Sequence, residues 1–160
     1  MEGGDDNINC AGGCGTIYRL STSGDFKTLH FMSVAEGTAL FGGLIEGTDS
    51  LLYGTAYLGG ANGCGTVYAF SRADSTVKVR HSFNCGSDGR FPMGRLVRAT
   101  NGFFYGVTSE GAKAEEGTVY RLKPDGSQFQ TLVQFADASA GCQPKQGLIQ
   151  ARNGDLYGEA

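Results

Sequence analysis

The chain has 160 residues, 40% of them hydrophobic, enough to bury a core and few enough for a single domain over residues 1–160. Its formal net charge of −3, with no basic stripe to follow a phosphate backbone, argues against nucleic acid as a partner. No apolar run approaches the roughly 18 residues of a membrane span, and the acidic, glycine-rich start has neither the charged nor the apolar region of a signal peptide.

Near the start, Asp5-Asp6-Asn7-Ile8-Asn9 offers oxygen ligands for calcium but lacks the glycine and terminal glutamate of an EF-hand loop, so it reads as a solvated turn. Gly15 to Leu20 then reads GTIYRL, a phrase that returns as GTVYAF from Gly65 and GTVYRL from Gly117. A second phrase, Leu52-Tyr53-Gly54, returns as Phe104-Tyr105-Gly106 and Leu156-Tyr157-Gly158. A period of about 50 residues belongs to propellers, solenoids and arrays. The 27 glycines recur at fixed points of this period and mark turns rather than disorder.

The first complete copy predicts four strands, Leu44–Glu46, Leu51–Tyr57, Thr66–Phe70 and Val77–Phe83, rich in Val, Ile, Leu, Tyr and Phe and bounded by turn residues. Asp49-Ser50, Asn101-Gly102 and Asn153-Gly154 lie between the first two strands of successive copies and predict a tight type I′ hairpin. The loop from second to third strand is glycine-dense, as in Gly59-Gly60-Ala61-Asn62-Gly63 and again from Glu110 to Gly117. Pro92 and Pro144 open the next unit where Leu40 stands in the earlier copy, a place a sheet tolerates proline. No stretch keeps a helical period.

Four antiparallel strands per unit predict an all-β, β-propeller-like array of three four-stranded blades, with a β-trefoil as the alternative. The termini fall inside a repeat, so residues 147–160 are expected to combine with residues 1–32 in a closing blade. Three blades are too few to close a propeller, which typically has four to eight. The chain is therefore expected to be an arc of a larger propeller, a fragment of a longer array, or half of a six-bladed ring completed by a second copy.

His30 and His81 share one repeat slot that Val133 fills in the third copy, so they read as structural strand residues. Cys14 and Cys64 also share a slot, with Glu116 as third occupant; a Cys10–Cys14 disulfide is one reading, and half a zinc site another. Six tyrosines (Tyr18, Tyr68, Tyr120, Tyr53, Tyr105 and Tyr157) sit at repeat positions and read as packing residues, with sugar-stacking platforms as the alternative. No catalytic residue, metal site or cofactor is assigned. Ligand contacts are expected on the loop face, at Asn62, Glu110, Lys113 and Glu115.

Gly43-Leu44, Leu52-Tyr53-Gly54-Thr55, Gly59-Gly60, Cys64-Gly65-Thr66-Val67-Tyr68 and Arg80-His81-Ser82-Phe83 together resemble the GloVer tandem repeats of bacterial surface-type proteins. The resemblance implies a propeller-like array in an exported protein, extracellular or at the cell surface, and carries no defined activity over to particular residues. The expected function is a non-enzymatic binding or structural repeat module, with carbohydrate or a second copy of the chain as partner. The alternatives are a carbohydrate-active hydrolase or lyase and a lectin-like assembly with one similar site per blade interface.

Overall fold

A computed structural model describes residues 13–136 and 141–160. Among these every regular element is a β-strand and none is a helix, which bears out the all-β expectation. The first half-unit is β1 (Thr16–Leu20) and β2 (Phe26–Phe31). The first complete unit is β3 (Ile45–Glu46), β4 (Leu52–Ala56), β5 (Thr66–Ser71) and β6 (Thr76–Ser82). The second is β7 (Arg90–Arg98), β8 (Phe104–Glu110), β9 (Thr118–Leu122) and β10 (Gln130–Gln134). The last half-unit is β11 (Ile149–Gln150) and β12 (Leu156–Tyr157).

Each complete unit is a four-stranded antiparallel meander, β3-β4-β5-β6 and β7-β8-β9-β10. The third blade expected from residues 147–160 with residues 1–32 is not formed among the described residues: β1–β2 and β11–β12 are separate two-stranded sheets. The reason is the packing order. One core cluster joins the β1–β2 half-sheet to the first complete sheet through Ile17, Met32 and Tyr68. A second joins the two complete sheets through Phe83, Phe104 and Tyr120, with β4 packed on β7. The units follow one another in sequence order, which leaves the edges of β1 and β12 in different half-sheets.

The repeated phrases are explained by their burial. In β9 the buried Thr118, Tyr120 and Leu122 alternate with half-buried Val119 and Arg121, whereas β5 is buried on both faces from Thr66 to Phe70, with Val67, Tyr68 and Phe70 in the core. Such near-continuous apolar runs are what a doubly covered strand requires. Tyr68 lies over Gly54 on the neighbouring strand, and Tyr120 over Gly106. A Cβ on Gly54 would come within 2.6 Å of the Tyr68 hydroxyl, so the Leu-Tyr-Gly phrase keeps glycine to admit the ring of the Gly-Thr-Val-Tyr phrase.

The turn between the first two strands differs from the predicted type I′ hairpin. Gly102 N donates to Ala99 O at 3.0 Å and Ala99 N to Phe103 O at 2.9 Å. Only the last loop residue is left-handed: Ser50, Gly102 and Gly154 have φ of 65°, 79° and 94°. This is the three-residue loop, a type I turn closed by a left-handed residue, whereas type I′ needs positive φ at both central positions. The preceding Asx side chain has another task. Asp49 accepts from the Tyr53 hydroxyl at 2.6 Å, and Asn101 donates to the Tyr105 hydroxyl at 2.8 Å. Burial, and then the Asp49 carboxylate, push the Tyr53 hydroxyl well above its ordinary pKa.

Candidate functional site

In an up-and-down antiparallel sheet, the tight turns between strands one and two and between three and four share one end. The longer connections, from strand two to three and from strand four to the next unit, share the other. The long-loop end therefore gathers residues 57–65, 83–90 and 111–117.

A Cys64–Cys85 disulfide, with Cα atoms 5.4 Å apart, ties two of these loops together. The sequence reading did not pair these two cysteines, which come from different loops of one unit. Cys14 is also disulfide-bonded and Cys142 is a free, exposed thiol, while Cys10 and the Asp5–Asn9 segment lie outside the described residues. Among the described residues no three His, Cys, Asp or Glu side chains come together as a metal-binding group.

Both histidines hold loops. His81 Nε2 lies 3.0 Å from Asp88 Oδ2, and its ring stacks on Phe129 at a centroid distance of 3.7 Å. Asp88 in turn accepts the Asn84 amide at 3.1 Å. His30 repeats the arrangement: Nε2 is 3.1 Å from Glu36 Oε2, and Nδ1 is 3.0 Å from the Ser75 carbonyl. Burial alone would raise the Glu36 carboxyl, but hydrogen bonds from the Ser33 backbone, His30 and the Ser33 hydroxyl hold it below the usual carboxylate range. With its acceptors engaged by Ser33 and His30, this carboxylate fastens the turn at Ser33–Gly37.

Of the four loop residues singled out from sequence, the structure brings two together. Arg90 Nη2 lies 2.9 Å from Glu110 Oε2 and 3.0 Å from Glu115 Oε2. Asn62 instead donates its side-chain amide to the Phe83 carbonyl at 3.0 Å and so braces its own loop. Lys113 is exposed.

Beside the Arg90 clamp stands an aromatic row that the sequence reading missed. The Arg90 guanidinium sits 5.1 Å from the Phe91 ring centroid, Phe91 stacks on Tyr57 at 4.8 Å, and Phe41 meets Tyr57 edge-on at 5.7 Å. Phe41 is 64% exposed, and Tyr57 and Phe91 are half-buried. Phe91 is held at a φ of 61°, a conformation that costs a bulky side chain on the order of 1–2 kcal/mol. Its amide donates to the Cys64 carbonyl at 2.9 Å and its carbonyl accepts from the Ser109 hydroxyl at 3.1 Å, which fixes the ring over Tyr57. One signal was present in the sequence: Tyr57 is the one tyrosine out of phase with the repeat, and its slot in the next copy holds Ser109. The row can offer flat apolar faces bordered by one guanidinium and two carboxylates.

The Gloeobacter/Verrucomicrobia repeat, as a protein family, matches residues 3–160 of the chain. No curated protein matches it.

Proposed function

The chain belongs to the Gloeobacter/Verrucomicrobia repeat family, and from that premise we propose that it is a non-enzymatic binding module whose ligand is a carbohydrate. The two complete sheets serve as blades of a propeller-type array, and the long-loop end presents the ligand platform. The observation that carries this reading is the Phe41–Tyr57–Phe91 row beside Arg90, Glu110 and Glu115, which departs from the repeat. Pyranose rings present apolar C–H faces that stack on such rings, while their hydroxyls accept hydrogen bonds from a guanidinium and donate them to carboxylates. The Cys64–Cys85 disulfide supports an extracellular or cell-surface setting, because disulfides persist in oxidising compartments.

The test is a glycan array followed by calorimetry on the best binder. Tyr57→Ser, which installs the residue of the next copy, should weaken binding about tenfold or more while leaving the fold intact, as expected for losing one aromatic anchor. Binding equal to wild type in this variant would refute the platform. The convergence of Glu110 and Glu115 on one guanidinium supports a second reading, glycoside hydrolysis by a carboxylate pair. Release of reducing ends that Glu110→Gln abolishes would favour it.

A further inference from the structure

The charges at the long-loop end do not balance. Its loops and the end of β8 carry four carboxylates, Asp88, Glu110, Glu115 and Glu116, against two cations, Arg90 and Lys113. Asp88 is turned inward to His81 and the Asn84 amide. Glu110 and Glu115 both converge on Arg90, whose Nη2 donates to Glu110 Oε2 at 2.9 Å and to Glu115 Oε2 at 3.0 Å. Arg90, the cation beside the aromatic rings, is thus more than neutralised where it stands, and its Nε is buried without an acceptor. An anionic ligand gains little from such a guanidinium and meets two carboxylates of its own sign. Glu115 keeps 60% of its side chain in solvent, so its carboxylate retains lone pairs for an incoming donor.

The aromatic row favours the same sign of ligand. Phe41 meets Tyr57 at 5.7 Å, Tyr57 stacks on Phe91 at 4.8 Å, and the Arg90 guanidinium lies 5.1 Å from the Phe91 centroid, so a ligand lying along the rings ends at the carboxylates. The faces of aromatic rings are negative and attract cations. Rings and charges depart from the repeat at one boundary between units: in the next copy the slots of Tyr57, Arg90 and Phe91 hold Ser109, Cys142 and Gln143, and in the preceding one the slot of Glu110 holds Leu58.

We infer that the carbohydrate taken by this platform carries protonated amines, as an oligomer of a 2-amino-2-deoxyhexose with free amino groups does. The inference rests on the carbohydrate reading and names the class of sugar within it. A pyranose face lies on the exposed Phe41 and Tyr57 rings, and a sugar ammonium donates charge-assisted hydrogen bonds to Glu115 and Glu110. The same ammonium is drawn to the ring faces. N-acetylation keeps the sugar ring and its linkage but removes the charge, while a uronic acid brings like charge against the two carboxylates. The rings then supply affinity for sugars in general, and Glu110 and Glu115 choose among them.

The test is calorimetry with three ligands of one length: glucosamine oligomers with free amines, the same oligomers N-acetylated, and oligomers of a uronic acid. At a pH where the sugar amine is protonated and at low salt, the free-amine oligomer should bind about tenfold tighter than its N-acetylated form, as charge-assisted hydrogen bonds provide. Added salt should narrow the gap. The double variant Glu110→Gln, Glu115→Gln leaves Arg90 without its carboxylates and should turn the preference toward the uronic acid, with the fold checked by circular dichroism. Glu115→Gln alone changes an exposed side chain and should shrink the preference about threefold, the scale of one exposed charge pair. N-acetylated or uronic oligomers that bind as tightly as the free amine, with Tyr57→Ser still weakening them, overturn the inference and leave the carbohydrate reading standing. A free-amine preference that persists undiminished in the folded carboxylate variants also overturns it. If no glycan binds at all, the carbohydrate reading falls and this inference falls with it.

Discussion

Replacing Gly106 by alanine probes why the two repeat phrases occur together. The added Cβ would lie 2.6 Å from Cζ of Tyr120 and 2.9 Å from Cδ2 of Leu96, with the Tyr120 hydroxyl closer still. The ring has little room to retreat, because it is fully buried and packs against Phe83 at 5.1 Å and Phe129 at 5.6 Å. Overpacking of this kind costs about 1–3 kcal/mol, against a gain of about 0.4–1 kcal/mol from the stiffer unfolded chain. The expected net loss is about 1–2 kcal/mol, or roughly 2–8 °C in Tm at the 2–4 °C per kcal/mol of a chain this size. The Tyr120 hydroxyl is buried without a hydrogen-bond partner, so Tyr120→Phe alone should be neutral or stabilising. The double variant Gly106→Ala, Tyr120→Phe removes the atom nearest the new methyl and should recover at least half of the loss. Urea denaturation of the four proteins forms the cycle. A Gly106→Ala loss under about 0.5 kcal/mol, or no recovery in the double variant, would refute the glycine-under-tyrosine explanation of the repeat.

Reducing the Cys64–Cys85 bond, or replacing both cysteines by alanine, should lower stability by about 3 kcal/mol in urea, the chain-entropy value for a loop of this length. Burial pushes the hydroxyls of Tyr53, Tyr68 and Tyr120 far above their ordinary value of 10.0. A raised folded pKa gives stability that is complete below the unfolded value and lost above it. Stability should therefore fall from about pH 10 upward, with tyrosinate absorbance at 295 nm appearing together with unfolding. Glu36 has the opposite sign: its carboxyl is held below the ordinary 4.5, so its contribution is present above that pH and lost as pH falls below it. Glu36→Gln should flatten the acid limb of the stability curve below about pH 4.5 and lower stability at neutral pH; an unchanged acid limb would remove Glu36 from the account.

The strands were legible wherever one unit sufficed to define them. Leu51–Tyr57, Thr66–Phe70 and Val77–Phe83 were read from apolar composition and glycine punctuation and stand close to β4, β5 and β6. The hairpin between the first two strands was foreseen but its type was not, because Asn-Gly suits both a type I′ turn and the last two places of a three-residue loop. Glu110 and Glu115 were singled out from their place in the glycine-dense loop as ligand contacts; that they share Arg90 depends on where β7 and β8 bring their ends. The aromatic row was hidden because Phe41, Tyr57 and Phe91 lie far apart in the chain.

By itself the sequence determined the all-β class, the unit of about 50 residues and the tyrosine and glycine that define each unit. These follow from local pattern: alternation, turn residues and a repeated phrase need no knowledge of what packs on what. Only the tertiary structure decided which strands share a sheet and which edges stay open. It also decided which cysteines meet, Cys64 with Cys85, and which side chains gather at the long-loop end. The physical reason is that pairing and packing are non-local: a half-unit carries the same residues as a buried strand, and only the presence of a neighbouring strand turns Tyr120 into core while Tyr18 stays exposed.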